Sequence, residues 1–245
     1  MRIGTWNLDH ARARKHDPER LRILREADAD VWVLTETNDR LAPDGYTPIH
    51  SAPRPFAAEG GRWVTIWTRL PLKSQVQVAD PNRCVAAMID ANGRDLLVFG
   101  VVVPWHADVG EPPLDPRPRP WQEQYRVIPA LGREWRQLQR GSPNASLCIA
   151  GDLNLSLGGP QYYGTAHGRS LLQEAMEVAS LQCATRFERV PTGALQHPAI
   201  DHVLAPADVS TKVVCAWEGR TPAGLKLSDH SGLVVEVGSL PCCPA

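Results

Sequence analysis

Five short stretches set a carboxylate, an amide or an imidazole at or near the end of an apolar run. They are Thr5-Trp6-Asn7-Leu8-Asp9, Val33-Leu34-Thr35-Glu36-Thr37, Leu147-Cys148-Ile149-Ala150-Gly151-Asp152-Leu153-Asn154, Ala199-Ile200-Asp201-His202 and Leu227-Ser228-Asp229-His230-Ser231. The third is the fullest. An apolar run rich in strand formers and closed by Gly reads as a buried strand whose last residues emerge at a sheet edge. There Asp152 can move a proton or approach a metal, and Asn154, on the same side two residues later, offers a donor and an acceptor without charge. Taken alone, Gly-Asp-x-Asn reads equally as a strand followed by an Asx turn. The other four stretches tip the reading towards one converging site.

The elements that must position these groups follow from the pattern. Arg2 to Leu8 reads as a first strand. Asp17 is an N-cap candidate with Pro18 at the first helical position, and Leu21, Ile23, Leu24 and Ala27 keep helical spacing up to about Asp28. Asp30 to Glu36 is a second buried strand. Strand, helix and strand form a crossover whose strands end on the same side, which brings Asp9 to Glu36.

Leu41 to Gly61, with its prolines and Gly60-Gly61, is expected to be a rim loop. Arg62 to Thr68, Leu72 to Ala79, Cys84 to Asp90 and Asp95 to Val103 read as a meander of strands, with Asn92-Gly93 as a hairpin signal. Glu111 to Pro120 is a stiff Pro-rich loop in which Arg117 and Arg119 either grip substrate phosphate or are simply solvated. Trp121 to Arg140 has the pattern of an exposed helix interrupted around Pro129 and Gly132. After Asn154 comes a flexible stretch to Gly164 whose Tyr162 and Tyr163 either stack on a ring or fold back for burial. A helix from about Ser170 to Ser180, a loop from Arg186 to Pro198 and strands at Ala199 to Leu204, Lys212 to Trp217 and Leu233 to Val237 complete the chain.

A length of 245 residues suits one large α/β domain spanning 1–245, with roughly the last five residues frayed. Lys and Arg number 26 against 27 Asp and Glu, so no global basic field draws the protein to nucleic acid and any polyanion binding must be local. The six cysteines lack the paired spacing of a zinc site and read as mostly buried thiols of a reducing compartment. With no apolar signal core and no run of about 18 apolar residues, a cytoplasmic protein without a membrane span is expected, and a monomer is assumed.

With these residues in this order, from Asn7 to His230, the sequence resembles the endonuclease/exonuclease/phosphatase superfamily of metal-dependent phosphoesterases. The resemblance implies a four-layer α/β sandwich, two packed mixed sheets flanked by helices, with the site between the sheets at their upper edge. Asn7, Asp9, Glu36 and Asp229 supply hard oxygen ligands, the type that Mg²⁺ or Mn²⁺ takes. By resemblance, His230 activates water with Asp201 as its carboxylate partner, Asp152 orients the water or protonates the leaving oxygen, and Asn154 contacts phosphate. The family places a phosphate-contacting Tyr or His near Pro104-Trp105-His106, which selects His106. Aligning on Pro104 instead puts Val102 at that place and leaves Trp105 facing the site. His202 departs from the aromatic residue common after the matching Asp and is taken as a neighbour.

The implied activity is hydrolysis of phosphodiester bonds, of DNA or RNA by family frequency. The alternative is a phosphatase or phosphodiesterase of a small phosphorylated metabolite, nucleotide or phospholipid headgroup. A non-catalytic adaptor on the same fold would normally have lost one of Glu36, Asp152, Asp201 or His230, and all are present.

Overall fold

Residues 1–55, 57–110 and 119–239 are described by a computed structural model. Its first half contains β1 (Arg2–Asn7), α1 (Asp17–Ala27), β2 (Val31–Asn38), β3 (Thr47–His50), β4 (Gly61–Thr68), β5 (Leu72–Val76), β6 (Cys84–Asp90) and β7 (Asp95–Val102). The second half contains α2 (Gln122–Gly141), β8 (Ser146–Asp152), α3 (Ala166–Val178), β9 (Leu181–Cys183), β10 (Asp201–Pro206), β11 (Thr211–Trp217) and β12 (Gly232–Val237).

Alternation along the strands decides the layering, because successive side chains leave a strand on opposite faces. Ile3, Val31 and Val33 face a core between two sheets, while Trp6, Trp32 and Leu34 face outwards to Leu24 of α1. The first sheet has the order β11-β12-β1-β2-β4-β3 and the second β5-β6-β7-β8-β10-β9. Each holds one parallel pair, β1 with β2 and β7 with β8. Parallel neighbours need a crossover, and α1 and α2 supply it. On the outer face of the second sheet, Phe99 and Ile149 pack with Ile128 and Trp135 of α2 and Leu172 and Met176 of α3. The result is the expected four-layer sandwich of two mixed sheets and flanking helices.

Several local expectations are corrected. The rim segment contains β3, paired antiparallel to β4, because an edge strand tolerates the missing N–H of Pro48. The meander is broken: β4 lies in the first sheet and β5 in the second, so the chain changes sheets between Thr68 and Leu72. Helix α2 runs unbroken through Pro129 and Gly132 for 20 residues. Burial of Ile128, Leu131 and Trp135 outweighs the lost hydrogen bond at Pro129. Gly132 is a contact rather than a break, since a Cβ there would lie 2.8 Å from the Ala175 Cβ of α3.

Helix α3 starts at Ala166 rather than Ser170, capped by Thr165, whose Oγ1 accepts from the Gly168 N–H at 3.0 Å. Strand β9, three residues at a sheet edge, has no sequence signal of its own. Asp17 lies inside the first turn of α1, where its carboxylate holds Arg20 and Arg40 rather than capping the helix. Cys84, Cys148 and Cys183 are buried free thiols and Cys215 is half-buried, whereas Cys242, Cys243 and the expected frayed tail lie outside the described residues. No described helix is long and apolar enough to cross a membrane.

Candidate active site

The polar stretches converge at one edge of the sandwich, although not all sit at strand ends. Asn7 and Asp152 end β1 and β8, and Glu36 lies two residues before the end of β2. Asp201 instead starts β10, and His230 precedes β12, strands antiparallel to β8 and β1 respectively, so their beginnings reach the same edge.

Asn7 ties the two sheets together. Its Nδ2 donates to Glu36 Oε1 at 3.2 Å and to Asp152 Oδ2 at 3.0 Å, while its Oδ1 accepts from the Asp9 N–H at 2.9 Å. Beside it, ligand-capable atoms of Asp9, His10 and Glu36 all lie within 4.8 Å of one another. Burial opposes the Glu36 charge, but the hydrogen bond and charge of His10, with the Asn7 amide, outweigh it and hold this carboxyl below its usual range. The backbone here is strained. Asp9, His10 and Ala11 have φ of 46°, 58° and 49°, and Glu36 has 46° inside a strand. A left-handed conformation costs a non-glycine residue about 1–2 kcal/mol, and such strain gathers at functional sites.

On the other side, His230 Nδ1 donates to Asp201 Oδ2 at 2.6 Å. The His230 backbone is fixed by Trp6 Nε1, which donates to its carbonyl at 3.1 Å, and by its own N–H donating to Ser228 Oγ at 3.0 Å. Burial works against a charged imidazole, but Asp201 and Asp152 outweigh it and raise His230 to about 10. Burial, then the Asp201 charge, push Asp152 up to about 7. Asp201 Oδ1 is buried without a hydrogen-bond partner. Asn154 sits in a left-handed turn at φ 50°, its N–H donating to Asp152 Oδ1 at 2.8 Å. Its Nδ2 donates to the Val103 carbonyl at 2.8 Å and to Asp152 Oδ2 at 3.2 Å, so contact with phosphate requires releasing one of these bonds.

Around these groups opens a cleft of about 650 Å³. Trp105 and Tyr162, 46 % and 55 % exposed, are the exposed large aromatics among the described residues, and both line it. Tyr162 stacks on His197 with centroids 4.5 Å apart and rings 4° from parallel. His106 packs edge-on to Trp105, with Nδ1 3.3 Å from the Tyr163 hydroxyl. Both His106 and Trp105 therefore face the cleft. Tyr163 is half-buried, and burial together with the Asp152 charge raises its hydroxyl.

The structure does not gather every sequence candidate. Arg117 lies outside the described residues, and Arg119 is not among those lining the cleft. Asp229 lines it with its side chain 55 % exposed, 4.0 Å from His230 Nε2, and stands outside the Asp9, His10 and Glu36 group. His202 is a buried neighbour, as expected, donating from Nε2 to the Leu155 carbonyl at 2.9 Å. Sequence reasoning missed His10, Trp63, Arg83, His197 and Lys226, all of which line the cleft. Adjacency to Asp9 was the available signal for His10; the others carry no motif and meet only through packing.

The charge balance of the walls bears on ligands. Asp9, Glu36, Asp108, Asp152, Glu218 and Asp229 face Arg12, Arg83 and Lys226, and Arg83 is paired with Asp108 at 2.5 Å. A phosphate meets net negative charge here unless a cation joins it. Carboxylate oxygens of Asp9 and Glu36, brought within 4.8 Å of each other, are donors that fit a hard divalent cation.

The model of the endonuclease/exonuclease/phosphatase family matches residues 4–230. A 3'-5' exonuclease from Neisseria meningitidis superimposes with a TM-score of 0.66 at 18% identity, covering 98% of this chain and 100% of its own. An AP endonuclease from Archaeoglobus fulgidus gives 0.65 at 17% identity, over 96% and 98% of the two chains. A mannosyl-6-phosphatase from Bacteroides thetaiotaomicron gives 0.65 at 15% identity, over 97% and 99%. These structural likenesses show a shared fold. No curated protein matches the sequence.

Proposed function

The chain belongs to the endonuclease/exonuclease/phosphatase family of phosphoester hydrolases, and from that premise we propose that it cleaves phosphodiester bonds of nucleic acid with a divalent cation, Mg²⁺ or Mn²⁺. Asp9 and Glu36 would hold the cation. When bound it supplies positive charge against the phosphate and lowers the pKa of water.

The remaining chemistry is assigned to the chain's own groups. His230 Nε2 takes a proton from the attacking water, while Asp201 keeps the Nδ1–H oriented and stabilises the imidazolium. In the resting arrangement His230 is held protonated around neutrality, so it becomes a base once the carboxylate charge beside it is compensated. Asp152, pushed up to about 7, carries a proton in a fraction of molecules at neutral pH and can pass it to the leaving oxygen. Asn7 and Asn154 hold this carboxyl in place.

The observation that carries the nucleic-acid reading is the pair of exposed aromatics, Trp105 and Tyr162, on the cleft wall. Ring faces suit bases, and stacking is sequence-tolerant. A small phosphorylated metabolite is the second reading, favoured by the scarcity of unpaired basic side chains on the walls. We read the whole chain as one domain working in the cytoplasm, supported by the shared inter-sheet core and the free buried thiols.

The test is a panel of plasmid, single-stranded oligonucleotide, nucleotide, inositol-phosphate and sugar-phosphate substrates under Mg²⁺ and Mn²⁺, with bis-p-nitrophenyl phosphate with and without EDTA as the control. Cleavage of nucleic acid above all small phosphoesters is the expected result. Turnover confined to small substrates selects the second reading, and inertness throughout would indicate an adaptor.

A further inference from the structure

We propose that His10 is itself a ligand of the bound cation, making the site a mixed nitrogen and oxygen centre that prefers Mn²⁺ and later first-row divalent cations to Mg²⁺. The proposal rests on the metal reading of Asp9 and Glu36 above and deepens it. His10 Nδ1 lies 2.8 Å from Glu36 Oε2, and all three residues present ligand-capable atoms within 4.8 Å of one another. The imidazole also lines the cleft, so a cation and its remaining ligands can reach it.

Nδ1 is close to both a Glu36 oxygen and an Arg54 guanidinium nitrogen. A bare Nδ1 has one lone pair, so a cation seated between it and the Glu36 oxygen takes that lone pair and releases the Arg54 N–H. Arg54 is in turn held over the Trp63 ring at 4.9 Å, and His10 lies edge-on to the same ring at 6.0 Å and 71°. The imidazole is thus fixed by its surroundings beside the carboxylates. Nitrogen donors raise affinity along the series from Mn²⁺ towards Ni²⁺, whereas Mg²⁺ gains little from them, so selectivity is the property that His10 sets.

The experiment measures binding without turnover. Mn²⁺ is titrated into wild type, His10→Asn, His10→Gly and Glu36→Ala by loss of the free-ion EPR signal, Mg²⁺ by calorimetry, and bound Mn²⁺ is examined by pulsed EPR for imidazole nitrogen coupling. Asn and Gly both accept the positive φ at this position, and circular dichroism checks the fold. The expected result is a nitrogen coupling in wild type that is lost in both His10 variants. Their Mn²⁺ dissociation constants rise about tenfold or more and their Mg²⁺ constants change far less. Tighter Mn²⁺ binding in the His10 variants would show the imidazole to be a competitor for Glu36 and overturn the proposal, as would a wild-type coupling that persists in them. If wild type and Glu36→Ala both bind neither ion, the metal reading itself fails and takes this one with it. Loss of binding in Glu36→Ala with unchanged His10 variants overturns this inference alone.

Discussion

Asp152 and Asp201 are direct partners across the antiparallel β8 and β10 ladder, 1 % and 0 % exposed. Like charges directly opposite one another destabilise a sheet. The arrangement persists because His230 puts a positive charge beside both, and because Asn7 and Asn154 donate to Asp152. The pair is held by what surrounds it.

One consequence is a pH dependence of stability in the metal-free protein. His230 is raised from 6.5 to about 10, so its contribution is complete below the unfolded value and is lost as pH rises through about 10. Asp152 is raised from 3.8 to about 7, so its contribution is likewise lost as pH rises, through about 7. The Tm in EDTA should fall by several degrees between pH 6 and 10, and less steeply in Asp201→Asn. Scanning calorimetry across that range decides it; a flat profile would show that the triad is not charged as described.

Activity should respond to His230 in the opposite direction. Turnover should rise with pH as His230 loses its proton and fall again where Asp152 no longer carries the proton for the leaving oxygen, and removing the Asp201 charge should move the rising limb to lower pH. His230→Ala should lose roughly 10²–10⁴-fold in turnover, with Asp201→Asn impaired in activity more than in fold. Rate profiles at saturating Mg²⁺, with circular dichroism as the folding control, test both. Near wild-type turnover in folded His230→Ala would make this histidine structural.

Glu36→Ala should cut turnover by orders of magnitude and weaken cation binding, because it removes an oxygen donor and releases both His10 and Asn7. Calorimetric titration with Mg²⁺ checks the binding half. Full activity of this variant in EDTA-treated buffer would remove the cation assignment.

Trp105→Ala and Tyr162→Ala should raise KM for oligonucleotides by roughly tenfold each, since stacking on an aromatic contributes about 1–3 kcal/mol per base. Sugar phosphates, which offer no such ring, should show unchanged KM. Arg119→Ala should change neither, because Arg119 does not line the cleft. Equal losses on both substrate types would mean that the aromatics shape the cleft rather than bind bases.

What could be read in the chain was what strand periodicity encodes. Asn7, Glu36 and Asp152 follow apolar runs whose burial sends the run's end to the sheet edge, whereas the pairing of Asp201 with His230 came only from the family resemblance. His10 was hidden because the left-handed run from Asp9 to Ala11 carries none of the Gly or Asn that announces such a turn. Trp63, Arg83 and Lys226 reach the cleft only because the two sheets pack, and no local pattern records that. Pro48 and Pro129 read as breaks, yet an edge position excuses the first and burial of Ile128 and Trp135 overrides the second. A turn that changes sheets looks locally like a hairpin turn, which concealed the crossing between Thr68 and Leu72.

The Asn7 to Asp152 and His230 to Asp201 hydrogen bonds each join a residue carried by the first sheet to one carried by the second. During refolding, a species with either sheet complete but its partner undocked holds one half of each pair and none of the chemistry. Recovery of turnover therefore times the closure of the core around Val33, Ile66, Val98 and Val203, and it should lag behind the return of secondary structure rather than accompany it.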